Sequence, residues 1–269
     1  KKEDEYLKYE GRVTMVGNFS EAFAGIFSGL LAVYSLRLPF YAQSGIAFIG
    51  IPAAVALTEH AAKTRIKNSF ANIVQIIQYS LFTNKELCYN IMFSGVIGAA
   101  TLTMAWFVQS LLIELDTPTS WFGIIWTILN LTVGISALYS DKLDQRLGSL
   151  RMYTLILFFI VGGYIAVAFN ISYIGLVCLF FFYIVRGFAT PILKGYINQI
   201  TFSEMRATVL SIRNFIIRLM FAAMAPLVGW LHDLYSLSIA LQATAAIIFV
   251  PGLLFLILQY RYKPRETSL

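Results

Sequence analysis

Apolar residues in this chain fall in blocks of about 20, each closed by a short polar turn. At 1.5 Å per residue such a block, folded as a helix, crosses the roughly 30 Å hydrocarbon core of a bilayer. The blocks run Val13 to Tyr34, Phe40 to Leu57, Tyr89 to Leu112, Trp121 to Tyr139, Met152 to Phe169, Tyr173 to Ile197, Ala207 to Leu231 and Ser236 to Leu258. A membrane β-strand alternates polar and apolar positions over about ten residues, whereas Leu176 to Val185 and Ala245 to Leu258 are nearly continuous apolar runs. The pattern predicts an all-α polytopic membrane protein with about eight transmembrane helices.

The longest polar interruption, Glu59 to Leu87, separates two spans from six. Inside it Phe70, Ile73, Val74, Ile77 and Leu81 recur at helical spacing with Asn72, Gln75, Gln78 and Asn84 elsewhere on the wheel, predicting a short amphipathic helix along the membrane surface. The chain thus divides into 1–58, the last two helices of one bundle; 59–87, a central loop; 88–260, a six-helix bundle; and a tail over 261–269.

Composition agrees with that solvent: 58% of residues are hydrophobic and 13% charged. The net charge of +6 is explained by topology, because cationic loops are retained on the cytoplasmic side. One side collects Lys1, Lys2, Lys8, Arg12, Lys63, Arg65, Lys67, Lys85, Lys142, Arg146, Arg151, Lys194, Arg206, Arg213, Arg261, Lys263 and Arg265. The other holds Arg37, Glu114, Asp116 and Asp233. Both termini are therefore expected in the cytoplasm, with the chain in the cell membrane, and nothing calls for a nucleic-acid partner. Cys88 and Cys178 lie at or within spans, far apart in sequence, so they read as buried thiols. His60 and His232 fall on opposite sides of the membrane, and no metal-binding or nucleophilic motif is present, which argues against an enzyme, a metal site or a cofactor.

Two short segments echo one another. Glu10-Gly11-Arg12-Val13-Thr14 and Glu204-Met205-Arg206-Ala207-Thr208 each open a helix, and each helix is followed by Tyr-Ser-Leu, at Tyr34 and at Tyr235. The offset of about 190 residues suits six helices with their loops. The loop Ser136-Ala-Leu-Tyr-Ser-Asp141-Lys142-Leu-Asp144-Gln-Arg146-Leu-Gly148 is similar to the G-x-x-x-D-[RK]-x-G-[RK] loop of the major facilitator superfamily, with Ser136 and Asp144 where glycines are common. Ser203 to Ser211 resembles that family's start of helix eleven, and Ala225-Pro226-Leu-Val-Gly229-Trp-Leu-His-Asp233 its exit. The resemblance implies a partial major facilitator fold, helices five to twelve with the first four missing. It also implies secondary active transport of a small molecule across the lipid bilayer by alternating access.

Asp141, Lys142 and Arg146 are expected to form a gating charge network at the cytoplasmic ends of two helices. Gly25-x-x-x-Gly29 permits close helix approach, and Pro191 should kink its helix, as should Pro226. Three ionisable residues fall inside spans: Glu21, Arg186 and Arg218. Each sits roughly 13 to 18 Å from the cytoplasmic boundary, near the midplane, so the three share a depth. An intramembrane charge costs about 2.5 to 3.5 kcal/mol on insertion scales and marks a functional candidate. The resemblance places Arg186 on a helix facing the transport path, with Glu21 or the substrate as counter-ion. Gln109, Asn130, Tyr183 and Thr190 are candidate cavity-lining polar groups. Two arginines against one glutamate tilt the substrate toward an anion or zwitterion, and Glu21 offers a carboxyl for a coupling proton. A multidrug efflux carrier and a non-transporting scaffold or inactive fragment are the alternatives.

Overall fold

A computed structural model describes residues 6–35, 37–56 and 70–262. The expected loop positions His60, Lys63, Arg65 and Lys67 lie outside the described residues, as do Lys1, Lys2, Lys263 and Arg265. Among the described residues the regular structure is helical: α1 (Tyr6–Tyr34), α2 (Leu38–Val55), α3 (Phe70–Gln78), α4 (Lys85–Glu114), α5 (Thr119–Leu138), α6 (Ser140–Leu147), α7 (Ser149–Phe169), α8 (Tyr173–Gln199), α9 (Arg206–Leu234) and α10 (Leu237–Tyr262). Seven of these are long and apolar enough to cross a membrane. The eighth expected span is α2, whose 18 residues rise about 27 Å.

Local chemistry sets the helix ends. The Asn84 side chain accepts the Leu87 N–H at 3.0 Å and caps α4, and Ser172 does the same for α8 by accepting from Ile174. Gly148 ends α6 at φ +75°, a left-handed conformation that a side chain disfavours, and its N–H returns to the Asp144 carbonyl at 2.8 Å. The amphipathic segment forms α3 and runs on through a π-helical turn over Tyr79–Thr83. Ile76, Tyr79 and Leu81 pack there beside Leu87, Ile91, Val209 and Ile216. Helix α1 is helical from Tyr6 on, ahead of its apolar block, and Leu7 there is buried against Gly195 of α8.

The centre of the molecule is built by α4, α7, α8 and α10, whose buried faces form one continuous core. Helix α1 lies along α5, α9 lies along α4 and α10, and α2 packs on α1. Apolar side chains do not drive helices together in lipid, so fit and interhelical hydrogen bonds do that work. Tyr164 donates to the Ala100 carbonyl at 2.6 Å, tying α7 to α4, and Ser238 donates to Ala168 at 2.6 Å, tying α10 to α7. Small residues let backbones close up: a Cβ added at Gly187 of α8 would lie 2.6 Å from the Val133 carbonyl oxygen and 2.7 Å from the Ser136 Cβ of α5.

That approach yields a test. Gly187→Ala should destabilise the solubilised protein by about 1 to 3 kcal/mol, because backbone cannot yield as a flexible side chain does. Gly162→Ala, where an added Cβ meets nothing within 4 Å, should be neutral or slightly stabilising. Thermal denaturation of both variants in one detergent checks this, and equal losses would show that α5 and α8 are not in backbone contact.

Candidate functional site

The Gly187 contact fixes the register between α5 and α8, which lie two membrane crossings apart and so run in the same direction. One turn back from Gly187 is Tyr183, and one turn back from Val133 is Asn130, so the two side chains share a level. Both are 0% exposed. The Tyr183 Oη, the Asn130 Oδ1 and the Arg186 Nη1 are all enclosed without a hydrogen-bond partner, three of five such side-chain atoms among the described residues. The Arg186 guanidinium stacks over the Tyr183 ring, 5.2 Å from its centroid, with its charge beside the Tyr183 hydroxyl. Asn130 spends its amide N–H on the Trp126 carbonyl at 3.0 Å, which leaves its oxygen free. One level therefore offers one enclosed N–H group of a half-buried guanidinium, a buried hydroxyl and a buried amide oxygen.

Helix α1 reaches the same level. Thr127 of α5 donates to the Ala22 carbonyl at 3.1 Å, which sets the neighbouring Glu21 about one turn from the depth of Asn130. Its charge acts on the Tyr183 hydroxyl, as does that of Arg186. The expected Glu21–Arg186 pair does not form: no ion pair joins them within 4 Å, and Glu21 is exposed. The reason is angular. Ala22, 1% exposed, is the residue turned into α5, and its neighbour points about 100° away.

Arg218 shares the depth but not the site. It lies on the exposed face of α9 and has no hydrogen bond or ion pair among the described residues. The inward arginine of α9 is Arg213, which lies about 140° round the helix from Arg218; it is 5% exposed and donates to the Ser94 hydroxyl of α4 at 2.5 Å. Its position, seven residues and about two turns beyond Arg206, was a signal that the count of loop cations passed over. Gln109 is exposed on α4, and Thr190 returns its hydroxyl to the Arg186 carbonyl at 3.2 Å. Pro191 is buried within α8 and Pro226 is exposed on α9. Gly25 lies against Trp126 and Thr127 of α5, and the Gly29 Cα comes within 4.0 Å of a Cβ placed on Gly123.

At the end of the molecule where α1 begins, the charges are arranged differently from the expected loop network. Asp141 accepts from Gln145 at 3.1 Å within α6, Lys142 lies 5.9 Å from the Tyr139 ring, and Arg146 is exposed in the last turn. The contacts that join helices come from other residues. Lys194 of α8 pairs with Glu10 of α1 at 2.5 Å and Tyr196 of α8 donates to Asp144 of α6, while within α1 Tyr6 donates to the same Glu10 carboxylate at 3.1 Å. The sequence had shown Glu10 as part of a repeated segment and Lys194 as a loop cation. Among the described residues no three His, Cys, Asp or Glu side chains gather into a metal-binding set.

A family model described as Major Facilitator Superfamily matches residues 2–222, from α1 into α9. The chain belongs to the major facilitator superfamily. No curated protein matches it in sequence. As a facilitator it is a multi-pass membrane transporter, and the family is one of transporters and not of enzymes. The matched span contains the Arg186 level and the Glu10–Lys194 contact of this facilitator.

The orphaned hydroxyl makes a contrast that can be measured. Tyr183→Phe should leave stability unchanged or raise it, since an unpaired buried hydroxyl costs about 1 to 3 kcal/mol. Tyr164→Phe should lower stability by about 0.5 to 1.5 kcal/mol because its hydroxyl bonds the Ala100 carbonyl. Melting of the two variants in nanodiscs decides the matter; a Tyr183→Phe loss as large as that of Tyr164→Phe would mean the Tyr183 hydroxyl has a partner.

Proposed function

We propose that this facilitator is a secondary active carrier of a small organic anion, bound at the level of Arg186, Tyr183 and Asn130 and moved by alternating access. The observation that carries the reading is the Arg186 Nη1, enclosed within a membrane-spanning helix with no protein acceptor. A buried cation without a counter-charge is costly, and a carboxylate of the solute supplies that counter-charge. Tyr183 adds a second donor to the same anion, and the Asn130 oxygen suits a hydroxyl or ammonium elsewhere on the solute.

The cargo enters and leaves as the two bundles rock, with 1–58 belonging to one bundle, 88–260 to the other and 59–87 as the loop between them. In the proposed orientation the cationic ends of the helices face the cytoplasm, both termini lie there, and the membrane is that of the cell surface. The Glu10–Lys194 bond then closes the cytoplasmic side, joining α1 to α8, and must break for that side to open.

Two experiments test this. Purified protein in nanodiscs is melted with acetate, lactate and benzoate, and separately with acetamide, lactamide and benzamide. At least one carboxylate should stabilise the protein where its amide does not, and Arg186→Gln should abolish the effect. Equal stabilisation by acid and amide, or retention in Arg186→Gln, would refute the anion reading. In proteoliposomes loaded with the responding acid, Glu10→Lys and Lys194→Glu should each disturb its flux, and the double exchange should restore it. Failure of the exchange to restore flux would remove the gate from the mechanism.

A further inference from the structure

A separate polar cavity opens at the end of the six-helix bundle where α4 and α7 begin and α8 and α10 end. Its volume is about 220 Å³, and it lies among helices of one bundle and not between the two. Tyr196 on its wall is about 15 Å along α8 from Arg186, so it is distinct from the site described above. Its walls include four tyrosines, Tyr89, Tyr153, Tyr196 and Tyr262, and a single charged side chain, Glu86. The Tyr89 and Tyr262 rings lie 5.4 Å apart, and those of Tyr153 and Tyr196 4.9 Å.

The hydrogen bonds within these walls leave one buried acceptor unused and one carboxylate without a cation in the lining. Tyr153 donates to the Asn90 side-chain Oδ1, Tyr196 donates to Asp144, and the Asn90 side-chain amide donates to the Glu86 backbone carbonyl at 2.9 Å. Gln259 donates its amide to the Tyr89 carbonyl at 3.3 Å, and its own Oε1 is buried with no partner on a residue 5% exposed. What remains for a guest is the Gln259 oxygen, the Glu86 carboxylate as the one lining charge, the Gln199 amide and the Tyr89 and Tyr262 hydroxyls, which accept as well as donate, and the faces of tyrosine rings. Carboxylates and amide oxygens only accept, and ring faces attract cations. The two helix starts and two helix ends around the cavity contribute dipoles of opposite sense, so the side chains decide the sign. The rim already displays the interaction: the Lys85 ammonium lies 5.3 Å from the Tyr262 ring centroid.

We propose that this cavity binds a primary ammonium group, its N–H donors on Gln259 Oε1 and Glu86 and its charge against the tyrosine rings. A quaternary ammonium would leave the Gln259 oxygen unsatisfied, and a bare alkali ion would leave most of the cavity unfilled. Two sources share the chemistry, a free amine in solution and the headgroup of an ethanolamine lipid.

The test uses the full chain in nanodiscs of phosphatidylcholine, titrated calorimetrically with ethylammonium chloride at constant ionic strength, with tetramethylammonium and potassium chloride as controls. Ethylammonium should bind saturably and both controls at least about tenfold more weakly. Glu86→Gln and Gln259→Met should each weaken ethylammonium by about tenfold, while Glu86→Asp retains part of the affinity. Arg186→Gln should leave it unchanged, which separates this site from the anion site. Repeating the titration with phosphatidylethanolamine in the bilayer distinguishes the sources: suppressed binding identifies the lipid headgroup as occupant, and undiminished binding identifies a free amine. Absence of saturable ethylammonium binding in phosphatidylcholine, or binding indifferent to both Glu86→Gln and Gln259→Met in variants that elute as wild type on gel filtration, overturns the proposal.

Discussion

A half-buried guanidinium inside a helical membrane protein, with its Nη1 enclosed and without an acceptor, is the constraint around which the candidate site is organised. Lipid and packed side chains screen far less than water does, so the energy of the Arg186 charge depends on what the neighbouring helices place at its level. They place little there. The Tyr183 ring offers a cation–π face at 5.2 Å, Asn130 offers an oxygen whose amide is already engaged, and Glu21 turns outward. The site is thus unsatisfied as a matter of geometry, and a solute carrying an acceptor lowers its energy more than water-exposed residues gain from any comparable contact.

That geometry rests on close packing. Gly187 brings the α8 backbone to Val133 of α5, and this contact sets Tyr183 and Asn130 at one depth. On the other side of α5, Gly134 receives the Phe19 ring and Thr127 bonds the Ala22 carbonyl, so α1 is held in register with the same helix. Helix α5 is therefore the reference against which both α1 and α8 are positioned. A shift of α5 by one turn, about 5.4 Å, would take Asn130 away from Tyr183 and Glu21 from the site's field together.

The spans were legible in the sequence because hydrocarbon thickness imposes a length on every helix that crosses it, and the eight apolar blocks reappear as α1, α2, α4, α5, α7, α8, α9 and α10. Helix ends were less legible. A polar residue such as Glu10 continues a helix beyond its apolar block when it finds a partner, here Lys194 of α8. Inward and outward faces were the least legible, because a helix apolar all round gives no amphipathic signal. Glu21 and Ala22, or Arg213 and Arg218, cannot be ranked by depth; only the partner helix decides which is enclosed. The Asp144–Tyr196 and Arg213–Ser94 bonds have the same character, each joining segments remote in sequence.

Helix α8 carries both the proposed binding level and the proposed gate, and Pro191 stands between them. Arg186 precedes the proline by about a turn and a half and Lys194 follows it by about one turn. Proline has no N–H to give to the carbonyl four residues earlier, which is that of Gly187, the residue in backbone contact with α5. The helix thus lacks one backbone hydrogen bond at the level where it touches the α5 backbone. Under the anion reading, bending about Pro191 separates Lys194 from Glu10 while Gly187 keeps Tyr183 at the level of Asn130. Under the same reading, occupancy at Arg186 would bias that bend by changing the charge balance on the same helix, through a path no longer than the few residues between them.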